Sequence, residues 1–447
     1  MSGLHRFDPA VAERALAWVT DRIERGAPLG STASRQELDD ALATPSVTRA
    51  GLGLDEAWRR FADVVAPATV GLNHPRFLAF IPAAPSPSAV LMDAMVSAAS
   101  FSAESWLEAA GAVHAENEVL SFLAELAGLP ADAGGCFVSG GSAGNLSALA
   151  VARDHRPGRP AIAAASTAHA SVANTARLLG CPLVDVPVDE RGRLTGPELA
   201  VVLARHPEVG AVVASAGTTN AGTVDDLRGV ADACSPTATW LHVDAAYGGA
   251  ALLVPEARHR FDGIDLADSL IIDPHKWLFA PLGSCALLYR DPRLARTVHA
   301  QEASYLDAIR ADDAWNPADY GYQLTRRAAG LALWFALAVH GVEAHAAAVR
   351  RGIDLAQAAA RLVDQLGAPL ELVMEPELSV VLFRRTGWTD DDWRDWSRDL
   401  LARGIAFVTP TRWRGETVGR LVFLHPDTPD TVAAEVLASA HSSERGA

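Results

Sequence analysis

Cysteine is scarce in this sequence, and the few cysteines follow no recognisable pattern. Only four are present among 447 residues, and no two of them form a CxxC pair. This spacing excludes a disulfide framework and the usual structural zinc sites, so we expect no metal. We instead expect buried thiols in a reducing cytoplasm, at Cys136, Cys181, Cys234 and Cys285.

Positive charge and long apolar runs are also in short supply. Lysine and arginine number 38 against 54 acidic residues, which gives a formal net charge of −16. This balance argues against nucleic-acid binding, which needs a clustered basic surface, and against adhesion to anionic lipid. The first residues do not have the pattern of a signal peptide. The longest apolar run, at 328–341, is too short for a bilayer and predicts a buried helix.

The remaining patterns divide the chain into three parts. Residues 10–25 and 55–66 have the apolar spacing of helices, within an N-terminal segment at 1–75. The prolines at 82, 85 and 87 then predict a rigid connector. From about 110 to 290, short apolar runs alternate with helical stretches. This alternation predicts an α/β domain at 76–345 with a mostly parallel sheet, and a smaller α+β domain follows at 346–447.

The predicted strands of the large domain are short and evenly spread. We place them at 136–139, 161–165, 183–186, 211–215, 240–243, 269–272 and 286–289. The helices between or before them lie near 115–127, 143–153, 170–179, 196–205 and 226–234. Ligands of such sheets bind at the carboxyl ends of the strands, so residues that follow a strand are candidates for a site.

Five short stretches follow predicted strands and carry chemically useful residues. Glycines at 140 and 141 open a helix whose free N–H groups suit a phosphate. His169 follows the second strand, and a stretch rich in glycine and threonine follows the fourth. Asp244 ends the fifth strand, and Lys276 follows the sixth. Taken singly, each stretch is compatible with an ordinary turn or helix cap.

Lys276 gives the five stretches a common explanation. A buried lysine must be paired or lose its charge, and an uncharged lysine is suited to a Schiff base with an aldehyde cofactor. Pyridoxal 5'-phosphate (PLP) needs such a lysine, a carboxylate for its ring nitrogen, a phosphate cradle and a stacking partner. The five stretches supply all four, so the sequence predicts a PLP enzyme.

These stretches also carry a family resemblance. HPRFLAF, SGGSAGN, AHASV, GTTNAGTVDD, HVDAAYGG and DPHKW together resemble the group II PLP-dependent amino-acid decarboxylases, the family of aromatic-L-amino-acid decarboxylase. The resemblance covers about residues 70–345. It implies the aspartate aminotransferase-like fold (fold type I), PLP as cofactor, and α-decarboxylation of an L-amino acid. It also implies a homodimer in which residues 1–75 pack across the subunit interface.

The resemblance implies roles for individual residues. Lys276 would bind the aldehyde of PLP, Asp244 would pair with the ring nitrogen, and His169 would stack on the ring with support from Asp225. The other cofactor contacts would come from Gly141, Ser142, Ala143, Thr218, Thr219, Ala246, Ser269 and His275.

The substrate side rests on the resemblance alone. Phe80, Pro82 and Phe101 would form an apolar pocket, and an aromatic amino acid is the expected substrate. Two positions depart from the pattern of the aromatic decarboxylases. Ala83 replaces a usual threonine, and Asp273 replaces an asparagine and so changes the charge near the phosphate.

A tyrosine before a Leu-x-Arg-Arg motif would supply the proton that replaces CO2. The motif occurs here as LTRR at 324–327, after a polar stretch with three tyrosines. Tyr320 is the first candidate because ADY most resembles the family's stretch, while Tyr322 and Tyr305 are alternatives. The predicted catalytic set is therefore Lys276, His169, Asp244 and Tyr320.

Other functions remain open on the same scaffold. One is decarboxylation coupled to oxidative deamination, which gives an aldehyde, ammonia and peroxide. Another is β-elimination from a cysteine conjugate, as in a C–S lyase. An aminotransferase is less favoured because no residue stands out as its carboxylate-binding arginine. A non-catalytic binding protein with this fold is disfavoured by the complete set of catalytic residues.

Overall fold

The N-terminal segment consists of helices that bury little of their own surface. The computed structural model describes residues 5, 7–26, 28–304, 306–307 and 314–442. Helices α1 and α3 and the π-turn Phe61–Val65 after α3 confirm the predicted helical stretches, whereas α2 was not predicted. The three helices span Pro9–Arg25, Arg35–Leu42 and Leu54–Arg60. Helix α1 contains no buried residue.

The proline-rich connector ends at a well-capped helix. Ser86 accepts a hydrogen bond from the backbone N–H of Ala89, and Pro87 occupies the first turn of α4. Both features favour a helix start, because the cap satisfies a free N–H and proline has none to satisfy. Helix α4 (Pro87–Ala99) therefore begins where the connector stops.

A seven-stranded sheet forms the centre of the large domain, and every predicted strand is confirmed within two residues at each end. The strands β1 to β7 span Gly134–Val138, Ala161–Ala165, Leu183–Val186, Val209–Ser215, Trp240–Asp244, Ser269–Ile272 and Cys285–Tyr289. The helices α5 to α10 span Trp106–Leu126, Gly141–Asp154, Ala170–Leu179, Gly196–Arg205, Leu227–Cys234 and Pro292–His299.

The sheet order is β1-β7-β6-β5-β4-β2-β3. Strand β7 runs antiparallel to both of its neighbours, and the other pairs are parallel. All strands of this sheet except β3 are buried along their whole length, as expected for a sheet covered on both faces. The parallel strands all end at the same edge of the sheet, which brings the predicted site residues together.

Helix α6 lies unusually close to the sheet. A Cβ atom at Gly144 would lie 2.7 Å from Cγ2 of Ile271 on β6 and 3.1 Å from Sγ of Cys285 on β7. No real side chain fits at such distances, so glycine is required for this helix to pack here. The close approach fixes the first turn of α6 above the ends of β5 and β6.

The small domain is built on a four-stranded antiparallel sheet of order β10-β11-β9-β8. Its strands β8 to β11 span Leu370–Leu372, Val380–Arg385, Thr411–Trp413 and Glu416–Val422, and helices α12 and α13 span Asp390–Ala402 and Thr431–Ser442. These elements confirm the predicted α+β character of the C-terminal part.

A long helix, α11 (Leu331–Leu366), leads from the large domain into the small one. It is interrupted at Gly341, whose φ of 77° and ψ of 165° are not helical. Helix α11 is long and apolar enough to cross a membrane, but the core helices of globular proteins also meet this criterion of length and composition. The boundary predicted at 345 falls inside α11, four residues after the break, and stays a prediction.

Candidate active site

The carboxyl ends of the parallel strands open on a cavity of about 610 Å³. This size suits a small ligand together with a cofactor. All of the predicted cofactor contacts except Ser269 line the cavity. The ten that line it are Gly141, Ser142, Ala143, His169, Thr218, Thr219, Asp244, Ala246, His275 and Lys276.

One wall of the cavity is the start of helix α6. Gly140 precedes the helix and Gly141 is its first residue, so free backbone N–H groups and the positive end of the helix dipole face the cavity. Substitution of Gly141 would narrow the space, since a Cβ there would lie 3.1 Å from Oδ2 of Asp273. His275 faces the same wall, and its Nδ1 lies 2.6 Å from the carbonyl oxygen of Ser284. This arrangement is a cradle for a phosphate.

Lys276 forms an ion pair inside the cavity. Its Nζ lies 3.0 Å from Oδ2 of Asp273, whose side chain is only 2% exposed. Burial acts to lower the pKa of Lys276, but the nearby carboxylates of Asp273 and Asp244 outweigh it and raise this pKa. Lys276 is therefore an ammonium group in the cofactor-free protein, and it must lose a proton before it can react with an aldehyde.

Asp273 also lies near the ring of His275. The Nε2 atom of His275 is 3.7 Å from Oδ2 of Asp273, the same oxygen that pairs with Lys276. The other oxygen, Oδ1, is buried and has no hydrogen-bond partner among the described residues. Asp273 thus forms a charge pair with Lys276 beside the phosphate cradle.

Asp244 stands at the end of β5 and is 8% exposed. Its Oδ1 accepts a hydrogen bond of 3.1 Å from the backbone N–H of Ala246, and its Oδ2 accepts one of 3.1 Å from Nδ2 of Asn145. Two N–H donors stabilise the carboxylate and orient it at the cavity wall. A carboxylate held in this way can pair with a protonated ring nitrogen.

His169 is the N-cap residue of α7 and is exposed to the cavity. Its Nδ1 accepts a hydrogen bond of 3.2 Å from the backbone N–H of Ser171 and lies 2.8 Å from the hydroxyl of the same serine. The ring is thereby held at the cavity wall that Ala246 also lines. Among the described residues, the Asp225 carboxylate accepts hydrogen bonds from Leu194 and Ser215 and has none with His169, contrary to the predicted support.

Two sequence-based assignments are corrected by the structure. Asp225 is buried, and its oxygens accept hydrogen bonds from the backbone N–H groups of Leu194 and Ser215, so it anchors a loop. Ser269 lies at the amino end of β6, opposite to the edge that bears the cavity. Its hydroxyl is bound to Trp240 and to His242 and is not available to a phosphate.

The predicted substrate residues lie outside this cavity wall within one chain. Phe80 is 55% exposed, has a φ of 53° and packs near Phe77 and Phe407. Phe101 is 47% exposed, whereas Pro82 is buried. The structure of the single chain does not bring these three residues to the cofactor residues.

The two described tyrosines of the loop differ in position. Tyr320 is 5% exposed and stacks on Trp315 at a ring-centroid distance of 4.1 Å, away from the cavity lining. Tyr322 is 47% exposed and lines the cavity, and its backbone N–H donates to Oγ of Ser147. The geometry therefore favours Tyr322 over Tyr320. Tyr305 lies outside the described residues.

Asn145 and Ser171 are site residues that the sequence-based interpretation missed. Both belong to stretches that had been singled out, SGGSAGN and AHASV, but they were not assigned roles. Their spacing in the sequence gives no sign that they meet Asp244 and His169. A polar residue at the fifth position of a helix that packs on a sheet was the one available signal.

Fold and cavity together define a PLP enzyme of fold type I. A lysine, an oriented carboxylate, a helix-end cradle and an exposed ring meet at one edge of a mostly parallel sheet, and they fit the aldehyde, ring nitrogen, phosphate and ring face of PLP. The orphaned Oδ1 atom of Asp273 is consistent with a further polar partner in the cavity.

Comparison with known proteins narrows the class to one family. The model of the pyridoxal-dependent decarboxylase conserved domain matches residues 50–386. An aromatic-L-amino-acid decarboxylase of Bacillus atrophaeus is 31% identical over 377 residues, with 80% of this chain and 78% of that protein covered. An L-2,4-diaminobutyrate decarboxylase of Rhizobium meliloti (strain 1021) is 33% identical over 443 residues, covering 94% and 88%.

A solved structure shares the fold along nearly the whole chain. The structure of Oryza sativa TDC with PLP and tryptamine superimposes with a TM-score of 0.89 at 24% identity, over 97% of this chain and 99% of that one. The chain belongs to the pyridoxal-dependent decarboxylase family and is a PLP-dependent carboxy-lyase acting on an amino acid.

Proposed function

We propose that this enzyme decarboxylates an L-amino acid with an uncharged, aromatic side chain to the amine and CO2. The observation that carries the proposal is the charge of the cavity wall. Among its described residues, the acidic side chains and the lysine already have a role toward the cofactor: Asp244 would pair with the ring nitrogen, and Asp273 and Lys276 form an ion pair at the phosphate end. None is left to pair with a charged substrate side chain.

The remaining lining residues support the same choice. Leu178, Leu282 and Tyr322 contribute apolar surface to the cavity, and Leu282 is 61% exposed. Apolar and aromatic surface binds a flat hydrocarbon side chain well and gains nothing from an ammonium group. A diaminobutyrate substrate is the second candidate, favoured by the 33% identity to an enzyme of that name.

In this proposal the cofactor supplies an electron sink for cleavage of the bond between Cα and the carboxylate. Lys276 would hold the cofactor, Asp244 would favour a protonated ring nitrogen, and His169 would pack against the ring. The start of α6 and His275 would hold the phosphate. Tyr322 is placed to donate the proton that replaces CO2 at Cα, as a phenol at the cavity wall.

We also propose a homodimer in a reducing cytoplasm. Apolar side chains of the N-terminal helices are exposed in one chain, with Leu16 at 67% and Val11 at 41%, and Phe80 and Phe101 are similarly uncovered. A second copy would cover these surfaces and would add residues to the substrate side of the site. All four cysteines are buried free thiols, which supports a reducing compartment.

A panel of substrates tests the reaction and its rivals together. The enzyme, loaded with PLP, is incubated with L-tryptophan, L-tyrosine, L-phenylalanine and L-2,4-diaminobutyrate, and with a cysteine conjugate. CO2, amine, ammonia, peroxide and pyruvate are each measured. We expect equal amounts of CO2 and amine from an aromatic substrate. Peroxide with ammonia identifies the oxidative deaminase, pyruvate identifies the C–S lyase, and turnover of diaminobutyrate alone overturns the aromatic assignment.

A further inference from the structure

A buried chain of hydrogen bonds runs beneath the cofactor site and joins two of its walls. It begins at Trp240, passes through Ser269 and His242, and reaches Asn145. Asn145 then branches to Asp244 and to Ser171, which is bound to His169. The two walls that would grip opposite parts of the cofactor ring thus meet at one amide.

The direction of each bond follows from the donors available. Trp240 Nε1 can only donate, so Ser269 Oγ accepts at 2.8 Å, and the same oxygen lies 2.8 Å from His242 Nδ1. The Asp244 carboxylate can only accept, so the amide nitrogen of Asn145 faces it and Asn145 Oδ1 faces His242 Nε2 at 2.8 Å. His242 Nε2 must therefore carry the proton, and Ser269 donates to the unprotonated Nδ1.

The amide nitrogen of Asn145 uses both of its protons. One is donated to Asp244 Oδ2 at 3.1 Å and the other to Ser171 Oγ at 2.8 Å. The flipped amide would place its oxygen against the Asp244 carboxylate, which is repulsive. Ser171 is left with its hydroxyl proton for His169 Nδ1, which also accepts from the backbone N–H of Ser171. The proton of neutral His169 is therefore on Nε2.

Burial makes this order strict. Asn145, His242 and Ser269 have no exposed surface, and Ser171 and Asp244 are each 8% exposed. Burial lowers the pKa of His242 to about 4, although Asp244 acts in the opposite direction, so the ring is neutral near pH 7 and carries one proton. A buried chain with one proton for each link has a single consistent arrangement.

We propose that Asn145 is a positioning residue that couples Asp244 to His169, and that Asp244 and His242 together fix its amide. In this role Asn145 orients the carboxylate that would pair with the ring nitrogen and, through the Ser171 hydroxyl, helps to hold the stacking ring in place. The inference concerns the cofactor-binding side chains and does not depend on which amino acid is the substrate.

The test uses three variants and two measurements that need no turnover. Asn145→Leu removes the junction while keeping its volume, Ser171→Ala cuts only the branch to His169, and Ser269→Ala cuts only the link behind His242. Histidine tautomers are assigned from ¹⁵N resonances of the imidazoles in the cofactor-free protein. The dissociation constant of PLP is measured from the absorbance of the bound cofactor.

We expect the native protein to show both His169 and His242 protonated on Nε2. Asn145→Leu should abolish this preference at His242, shift the ¹⁵N resonances of His169 and weaken PLP binding by about ten- to a hundredfold, because buried polar groups lose their partners. Ser171→Ala should shift the resonances of His169 without moving its proton, because the backbone N–H at 171 still donates to Nδ1, and should leave His242 unchanged. Ser269→Ala should change His242 and leave His169 unchanged, because Asp244 still holds the Asn145 amide. Asn145→Gln should recover neither property, since the longer amide cannot meet the same three partners.

A control separates positioning from general destabilisation. Thr239 is 4% exposed, precedes β5 at its opposite end and accepts a hydrogen bond from Arg159. Thr239→Val should lower the melting temperature without changing the histidine resonances or PLP affinity. If Asn145→Leu binds PLP like the native protein, or changes the resonances of neither histidine, Asn145 has no positioning role. Failure of the substrate panel would leave these results unaffected.

Discussion

The Asp273–Lys276 pair should be strongly coupled in the cofactor-free protein. The two charged atoms are 3.0 Å apart, and the side chains are 2% and 21% exposed. Two unit charges at this distance attract each other by about 5.5 kcal/mol at an effective dielectric constant of 20, before desolvation is subtracted. Removal of one partner leaves the other buried and uncompensated, which typically costs 3–5 kcal/mol.

This reasoning gives an ordered expectation for three variants. Lys276→Met should lower the free energy of unfolding by about 3 kcal/mol, because Asp273 retains a charge and an unpaired Oδ1. Asp273→Asn should cost a similar amount, because Lys276 loses its nearest carboxylate. The double variant should cost only about 1 kcal/mol, since both charges are gone. The resulting coupling energy is several kcal/mol and favours the pair.

The assay is urea unfolding of cofactor-free protein, followed through the fluorescence of its 11 tryptophans. An exposed ion pair serves as the control: Arg327 and Asp93 are 2.9 Å apart, but their side chains are 45% and 30% exposed. The same double-mutant cycle there should give a coupling below about 1 kcal/mol. Additive single effects at Asp273 and Lys276 would show that the carboxylate does not stabilise the lysine. In the holoenzyme, Lys276→Met should also abolish turnover.

Three further changes have defined outcomes. Burial raises the pKa of Asp225 to about 7, so the folded protein keeps a proton that the unfolded chain releases near pH 4. The free energy of unfolding should therefore fall by roughly 4 kcal/mol as the pH rises from 4 to 8. Urea unfolding should show no such fall from this group in Asp225→Asn. Truncation before His74 should give an inactive or aggregated protein by light scattering; an active monomer would contradict the dimer. Tyr322→Phe should retain PLP affinity and lose amine formation by at least about a hundredfold, while Tyr320→Phe keeps it; the reverse result would restore the sequence-based choice of Tyr320.

The cofactor half of the site was predictable because its signals are local. Short apolar runs gave the strands, and the residues directly after them, such as Lys276, are placed at one edge by the parallel order alone. The paired glycines at 140 and 141, directly after a strand, likewise marked the start of a helix. Sequence patterns of this kind report backbone geometry, and the phosphate and the lysine depend mainly on backbone geometry.

The errors arose where the partner of a side chain is set by tertiary packing. Ser269 begins its strand and Asp244 ends the neighbouring one, so motifs that look equivalent in sequence lie at opposite edges of the sheet. Asp225 follows a strand like the true site residues, but two backbone N–H groups occupy its oxygens. Asn145 meets Asp244 across 99 positions, a contact that no local pattern records.

The distribution of burial explains why the cofactor half of the site was easier to predict from the sequence than the substrate half. The residues predicted to hold the cofactor lie on strand ends and helix starts, where the core fixes them, and hydrogen bonds through Asn145 join several of them. Phe80, Phe101 and Tyr322 lie in connecting segments and are about half exposed. A core cannot tolerate change without loss of PLP, whereas a loop can exchange side chains at little cost to stability. Substrate preference can therefore change without loss of the cofactor site, and the two similar decarboxylases at 31% and 33% identity are named for different substrates.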